Sequence, residues 1–569
     1  MKSSELHQAP EYALSVESGI GRHAKDFDWM AVNVPCRTAC PAGTDIPGYL
    51  EAIYQGKPEE AYRINLRDNV FPAVLGRTCT RPCEPACRHG REGLGDPVAI
   101  CFAKRSADDF RSRRDPVLLE KLFPPSGKKV AVIGAGTSGL TVARELCLWG
   151  HAVTLFEKHH EAGGLMIQGI PEFRLPRDIV RREVRQVIDL GIDLRCNVEM
   201  DAEKIAALPS EYDAVVLAAG THEPRWPDCP GTDLPQVQHG LEFLKRINEG
   251  ERPEIGRRVV VIGGGFTAVD CARMARRLGA EEVRMIYRRS ETEMYIGDHE
   301  LHQFATEGVQ TEFLTAPEAF LADASGNLSA VRLVKTRLVE QENGRAVPQP
   351  VPGSEYTLPV DTVLLGTGQQ SAGWWKGIDG LFVAGDAHTG PGSLIDAIGH
   401  GKKVARQVDQ ALMGRDRFEE VVQVENARST GRTRAMDALP RLHMPEIAVE
   451  ARGVSDEVES GWDAEEKAKT EASRCYLCHY KFEIDNELCI YCDRCLKVTP
   501  VDGCIVKVSD LIYDQEDRIT GYVASTGTRN YNRLHLDQNA CIRCGACVEV
   551  CPVECISLQK VTQETRVRS

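Results

Sequence analysis

The 569-residue sequence lacks several features, and each absence excludes a class of function. It has no run of about 18 or more apolar residues, so a membrane-spanning helix is not expected. It has no excess of basic charge. The formal net charge is −14, which argues against nucleic acid as the main partner. The opening string MKSSELHQAPEYALSVESG has no basic region followed by an apolar one, so no secretory leader is expected and the reading is a cytoplasmic protein. There is no low-complexity tract. No Ser/His/Asp or Cys/His nucleophile arrangement is evident either. What remains is the composition of an ordinary globular chain, 42% hydrophobic and 27% charged, long enough for several domains.

Cysteine is what the chain has in quantity. There are 21, and they fall in tight groups separated by cysteine-poor stretches. Disulfide frameworks belong to oxidising compartments, whereas C-x2-C-x2-C triplets belong to iron–sulfur ligation. Sixteen lie at such spacings, enough for four [4Fe–4S] clusters. The amino-terminal ones are Cys36, Cys40, Cys79, Cys83, Cys87 and Cys101. The carboxy-terminal ones are Cys475, Cys478, Cys489, Cys492, Cys495, Cys504, Cys541, Cys544, Cys547 and Cys551. Cys147, Cys196, Cys229 and Cys271 stand singly and read as small buried thiols; Cys555 is left over as well.

In two-cluster ferredoxins the fourth cysteine of each run, before proline, serves the other run's cluster. Cys489, Cys492 and Cys495 are therefore expected to share a cluster with Cys551. The reciprocal trio Cys541, Cys544 and Cys547 meets Thr499 at the usual position, and Cys504 is the expected substitute. Cys36 and Cys40 lack two partners, as do Cys475 and Cys478, so these four are expected to combine. Free thiols or a different metal at Cys475 and Cys478 remain the alternative. Cys79, Cys83, Cys87 and Cys101 form the remaining set.

Between the cysteine-rich ends the texture alternates strand and helix, which predicts an α/β fold with two doubly wound nucleotide-binding domains. The string KVAVIGAGTSGLTVARELC carries Gly134, Gly136 and Gly139, with Glu157 closing the second strand. Such glycines let a pyrophosphate approach backbone N–H groups at a helix start, and the acid suits a ribose hydroxyl. Gly164 follows in EAGGLMIQ, and Gly385-Asp386 ends a strand much later, so the FAD domain is expected to be discontinuous. The second glycine turn, Gly263, Gly265 and Ala268, is followed by Arg288 and Arg289 where an acid would select NAD(H). An arginine pair suits a 2′-phosphate, which favours NADP(H), although one of the two can equally be a solvated surface residue. Hydride exchange between nicotinamide and flavin needs no further catalytic side chain.

The expected organisation is a helical iron–sulfur domain over 1–125 and an FAD domain over 126–255 and 366–412. An NADP(H) domain follows over 256–365, then a linker with C-x2-C over 413–480, and an α+β ferredoxin-like domain over 481–569.

Residues 30 to about 410 resemble the glutamate synthase small subunit family, on VPCRTACPAGTDIPGYL, FPAVLGRTCTRPCEPAC, both glycine turns, GIPEFRLP, IYRRS and FVAGDAHTGP. Residues from about 484 to 560 resemble a bacterial two-cluster ferredoxin. The resemblance implies hydride exchange between NADP(H) and FAD, then single electrons through clusters to a ferredoxin or a catalytic partner subunit, in a hetero-oligomer. A 2-oxoacid:ferredoxin oxidoreductase is one such partner. A glutamate synthase small subunit is the alternative reading, and a self-contained small-molecule reductase a further one. Relatives tend to place an acid or amide ligand where Lys104 stands; Cys101 is the expected substitute.

Overall fold

The computed structural model describes residues 14, 19–91, 94–112, 117, 119–294, 296–341, 346–515, 519–525 and 532–568. Most of the amino-terminal segment read as lacking a leader lies outside these residues. Among the described residues no helix is long and apolar enough to cross a membrane.

The first hundred residues fold as short helices, chiefly Ala24–Asn33, Ile46–Tyr54, Pro58–Asn69, Pro72–Thr78 and Ile100–Asp109. Proline opens two of them and follows Ile46 in a third, where its fixed φ and missing N–H cost nothing. Asp45 caps Ile46–Tyr54 by accepting from Gly48 N at 3.1 Å.

Two all-parallel five-stranded sheets follow. The first has the order Leu381–Val383, Ala214–Leu217, Lys129–Ile133, Ala152–Phe156, Asp193–Arg195. Its inner strands are runs of buried Val, Ile and Leu, as covering both faces requires. Its edge strand Leu381–Val383 comes from far along the chain, so the domain is discontinuous. The second sheet has the order Gln310–Glu312, Glu282–Ile286, Arg258–Ile262, Thr362–Leu365, Val237–His239. Strand Val237–His239 and helix Gly240–Asn248 therefore belong with the second sheet, which begins earlier than residue 256. An antiparallel unit built around Leu328–Val339 interrupts it, which an alternating strand–helix reading did not anticipate.

The stretch over 413–480 is not a linker. Phe418–Asn426 is the second strand of an antiparallel sheet ordered Gly19–Gly21, Phe418–Asn426, Ile556–Val567, Tyr480–Ile484. Beyond Asn426 the chain runs as an irregular strap held by ion pairs. Arg441 binds Glu84 at 2.6 Å, Glu457 binds Arg77 at 2.7 Å, and Arg452 binds Glu307 at 2.7 Å. Val458 N donates to Phe173 O at 3.0 Å. The strap thus touches the helical region and both parallel-sheet units.

Candidate functional site

A cleft lies at the carboxyl ends of the first sheet, reaching from the glycine turn to the start of Leu394–Met413. Gly134, Gly136, Glu157, Gly164 and Asp386 all line it. The glycines do different work. A Cβ on Gly139 would stand 1.9 Å from Gly134 O, so this position serves helix–strand packing. A Cβ on Gly136 would meet only Gly164 Cα at 3.8 Å and would fill cleft space instead. Gly164 (φ +53) and Gly385 (φ +65) adopt backbone conformations that favour glycine.

Glu157 is buried, and its two oxygens accept from Ala135 N and His159 N, both at 2.9 Å. The carboxylate is thereby aimed at the glycine turn. Burial pushes Asp386 up to about 6, against the backbone donor at Gly392. The helix Leu394–Met413 opens at the cleft with Ser393 as its cap and Asp396 closing the capping box. An N-terminus there favours negative charge. Sequence reasoning missed Trp374, Trp375, His159 and His222, which also line the cleft. Burial pushes His222 down to about 4, so the ring is neutral near pH 7.

In the second unit, Gly263 has φ +141, and a Cβ there would lie 2.3 Å from Gly366 O. A Cβ on Gly265 would meet nothing within 4 Å, which leaves that turn open. Gly366 packs so tightly on Ala268 that alanine is the larger residue of the two that fits. Arg288 and Arg289 follow strand Glu282–Ile286. Their carbonyls accept from Thr336 Oγ1 at 2.8 Å and Leu314 N at 3.0 Å. Arg288 is exposed and Arg289 half-buried, and neither side chain has an acidic partner among the described residues.

Three cavities are lined by cysteines. Cys36, Cys87, Cys475 and Cys478 share the first. Cys504, Cys541, Cys544 and Cys547 share the second. Cys489, Cys492, Cys495 and Cys551 share the third, together with Cys555. Cys551 Sγ and Cys555 Sγ are 3.5 Å apart, so the leftover cysteine sits among the expected ones. A fourth group surrounds Lys104. Burial alone would push this amine down, but the thiols of Cys79, Cys101, Cys83 and Cys40 together hold it above its ordinary value.

The grouping corrects the sequence expectation at one place: Cys87, not Cys40, joins Cys36, Cys475 and Cys478. Cys36 lies within the short helix Pro35–Thr38 and Cys40 beyond its end, so they face different groups. Cys87 ends a turn that Arg81 bends with φ +60. Cys101 Sγ lies 3.2 Å from Leu75 O and 3.4 Å from Gly76 O, turned toward helix carbonyls rather than squarely into its group. Among the described residues, no three His, Cys, Asp or Glu groups converge as the ligands of a single ion would. Four thiols around a cavity are instead the arrangement a cubane cluster takes.

Comparison with known proteins agrees with this geometry. Residues 128–373 match the pyridine nucleotide-disulphide oxidoreductase family. Residues 30–115 match the 4Fe-4S cluster domain II of dihydropyrimidine dehydrogenase, and residues 534–557 a 4Fe-4S binding domain. The chain is 35% identical to the NADP(+)-dependent formate dehydrogenase subunit beta of Moorella thermoacetica, over 67% of this chain and 60% of that one. It is 32% identical to the NADPH-Fe(3+) oxidoreductase subunit beta of Geobacter sulfurreducens, over 78% of this chain and 75% of that one. It is 31% identical to the glutamate synthase [NADPH] small chain of Azospirillum brasilense, over 66% and 85%. The fold and site define an iron–sulfur flavoprotein oxidoreductase. The chain belongs to the family of FAD- and NADPH-dependent iron–sulfur oxidoreductases that includes the glutamate synthase small chain. Its cofactors are FAD, NADP(H) and 4Fe-4S clusters.

Proposed function

We propose that this enzyme exchanges reducing equivalents between NADP(H) and a one-electron partner, a ferredoxin or a catalytic subunit such as that of a 2-oxoacid:ferredoxin oxidoreductase. The single observation that carries the reading is the set of cysteine groups. It begins in the helical region beside the flavin unit and ends at Cys492, the one exposed cysteine among those described. FAD, when bound, supplies a centre that takes a hydride and releases its electrons singly.

The chain's own residues do the rest. Gly136 and Gly164 leave room for the pyrophosphate, and Glu157 is aimed at the adjoining ribose. Asp386 and the start of Leu394–Met413 would face the flavin, where the helix N-terminus would favour the negative charge of its reduced form. Arg288 and Arg289 hold the 2′-phosphate. Four [4Fe–4S] clusters are assigned to Cys40/Cys79/Cys83 with Cys101, Cys36/Cys87/Cys475/Cys478, Cys504/Cys541/Cys544/Cys547, and Cys489/Cys492/Cys495 with Cys551 or Cys555.

The test is the iron and flavin content of anaerobically purified protein. Four clusters require about 16 irons per FAD. Replacing Cys475 and Cys478 by serine together is expected to leave about 12. Protein without flavin, or with only one or two metal ions, would overturn the reading.

A further inference from the structure

Two of the deeply buried side chains, Arg88 and Arg543, are arginines without a carboxylate partner among the described residues. Arg88 follows Cys87 and lines the cavity of Cys36, Cys87, Cys475 and Cys478. Arg543 lies between Cys541 and Cys544. They are 2% and 0% exposed. Arg88 Nη1 donates to Gln538 O at 2.6 Å, and its Nη2 donates to Asn33 Oδ1 at 3.0 Å and Asn539 Oδ1 at 2.8 Å. Arg543 Nη1 donates to the same Gln538 carbonyl and to Cys541 O, and its Nε donates to Tyr480 O at 3.1 Å. The two side chains thus meet on one backbone oxygen, with one cysteine group on either side.

Every one of those acceptors is neutral. Arg88 Nε and Arg543 Nη2 are buried with no hydrogen-bond partner among the described residues. Other buried arginines are paired: Arg273 with Glu307 at 2.8 Å, and Arg474 with Glu471 at 2.7 Å. Burial beside Arg543 opposes each charge, but a guanidinium keeps its proton inside proteins. It stays protonated at neutral pH. A buried charge is retained where an anion offsets it. The anions within reach are the thiolates of the two groups and the negatively charged clusters they would carry.

We propose that Arg88 and Arg543 are a shared countercharge for the clusters held by Cys36/Cys87/Cys475/Cys478 and by Cys504/Cys541/Cys544/Cys547. The inference rests on reading these cysteines as cluster ligands. Reducing either cluster adds one electron and no proton, hence one negative charge. A positive pair between them eases that addition on both sides. Removing either charge therefore lowers two reduction potentials together.

The test uses full-length, anaerobically purified holoenzyme. Iron and FAD are counted first, and cluster midpoints are then read by redox titration followed by electron paramagnetic resonance. Arg88→Gln keeps an amide donor without the charge, and Arg88→Lys keeps the charge without the fork. Arg88→Gln is expected to lose about tenfold in the one-electron reduction constant of two clusters, a fall of about 59 mV. The other clusters and the flavin keep their midpoints, and Arg88→Lys stays near wild type. Unchanged midpoints with full iron overturn the proposal, as does an equal shift in Arg88→Lys and Arg88→Gln. Should Arg88→Gln lose iron, Arg543→Gln decides on the same criteria, and Arg88→Lys retaining iron and midpoints supports the charge. Wild-type protein without the clusters would instead remove the ligand reading itself.

Discussion

Replacing Arg288 and Arg289 together by glutamine removes two positive charges that follow strand Glu282–Ile286, and leaves the fold's contacts in place. Their backbone carbonyls, not their guanidinium groups, are the parts bonded to the rest of the unit. Two unit charges about 4 Å apart interact by about 1 kcal/mol in water-like surroundings, and a phosphate monoester carries about −1.5 to −2. Each arginine is then worth about 1.5–2 kcal/mol toward a 2′-phosphate. Arg288 is exposed and its share is screened by salt, so the pair together is worth about 3 kcal/mol. At 1.4 kcal/mol per tenfold, kcat/KM for NADPH should fall about 100-fold. NADH lacks the phosphate and should change by less than about threefold on the same arithmetic. The assay is steady-state oxidation of each nucleotide with an artificial one-electron acceptor, at low and high ionic strength. Equal loss for both nucleotides would show that the arginines do not read the phosphate. A wild-type NADPH advantage insensitive to salt would refute the magnitude.

Gly136→Ala should fold with little change in melting temperature yet lose FAD, seen as visible flavin absorbance per protein. Gly139→Ala should instead destabilise the domain, because its Cβ would overlap Gly134 O. The reverse pattern would show that the cleft is not the pyrophosphate site. Asp386 has its folded pKa raised to about 6 by burial, above the ~3.9 of an unfolded chain. Its contribution to stability is therefore present below about pH 4 and lost as pH rises through about 6. In flavin-stripped protein, Asp386→Asn should melt higher than wild type at pH 7.5 and equal to it at pH 4. A difference that does not grow with pH would refute this.

The nucleotide units were legible because strand, glycine turn, helix and terminal residue occur in one contiguous string, and each glycine answers a local steric need. Spacing also grouped the Cys489 and Cys541 runs, and Cys504 lies at one cavity with Cys541, Cys544 and Cys547. It failed at Cys40 and Cys87. Distance along the chain reports which cysteines are neighbours, not which side of a turn each one faces. The strap beyond Asn426 was missed for another reason. Its contacts are ion pairs such as Arg452 with Glu307, so its composition is that of a solvated linker. Strand Phe418–Asn426, with the sequence FEEVVQVEN, carries Glu419, Glu420 and Glu425 beside buried Phe418, Val421, Val422 and Val424, and its partner Ile556–Val567 is distant in sequence. Arg88 and Arg543 gave no signal, since a basic residue beside a cysteine motif looks like any surface arginine until its burial is seen.

The sheet that joins Gly19–Gly21, Phe418–Asn426, Tyr480–Ile484 and Ile556–Val567 bears on how the protein is made. Ribosomes add about 5–20 residues per second, so Cys36 and Cys87 leave the tunnel tens of seconds before Cys475 and Cys478 follow. The first cysteine group cannot close until Cys475 and Cys478 have emerged, and strand Ile556–Val567, which completes the sheet, is made later still. Metal loading at that group consequently waits until most of the chain has been made. A nascent chain stalled before Cys475 would hold half-assembled thiol sites, open to oxidation or to the wrong ion.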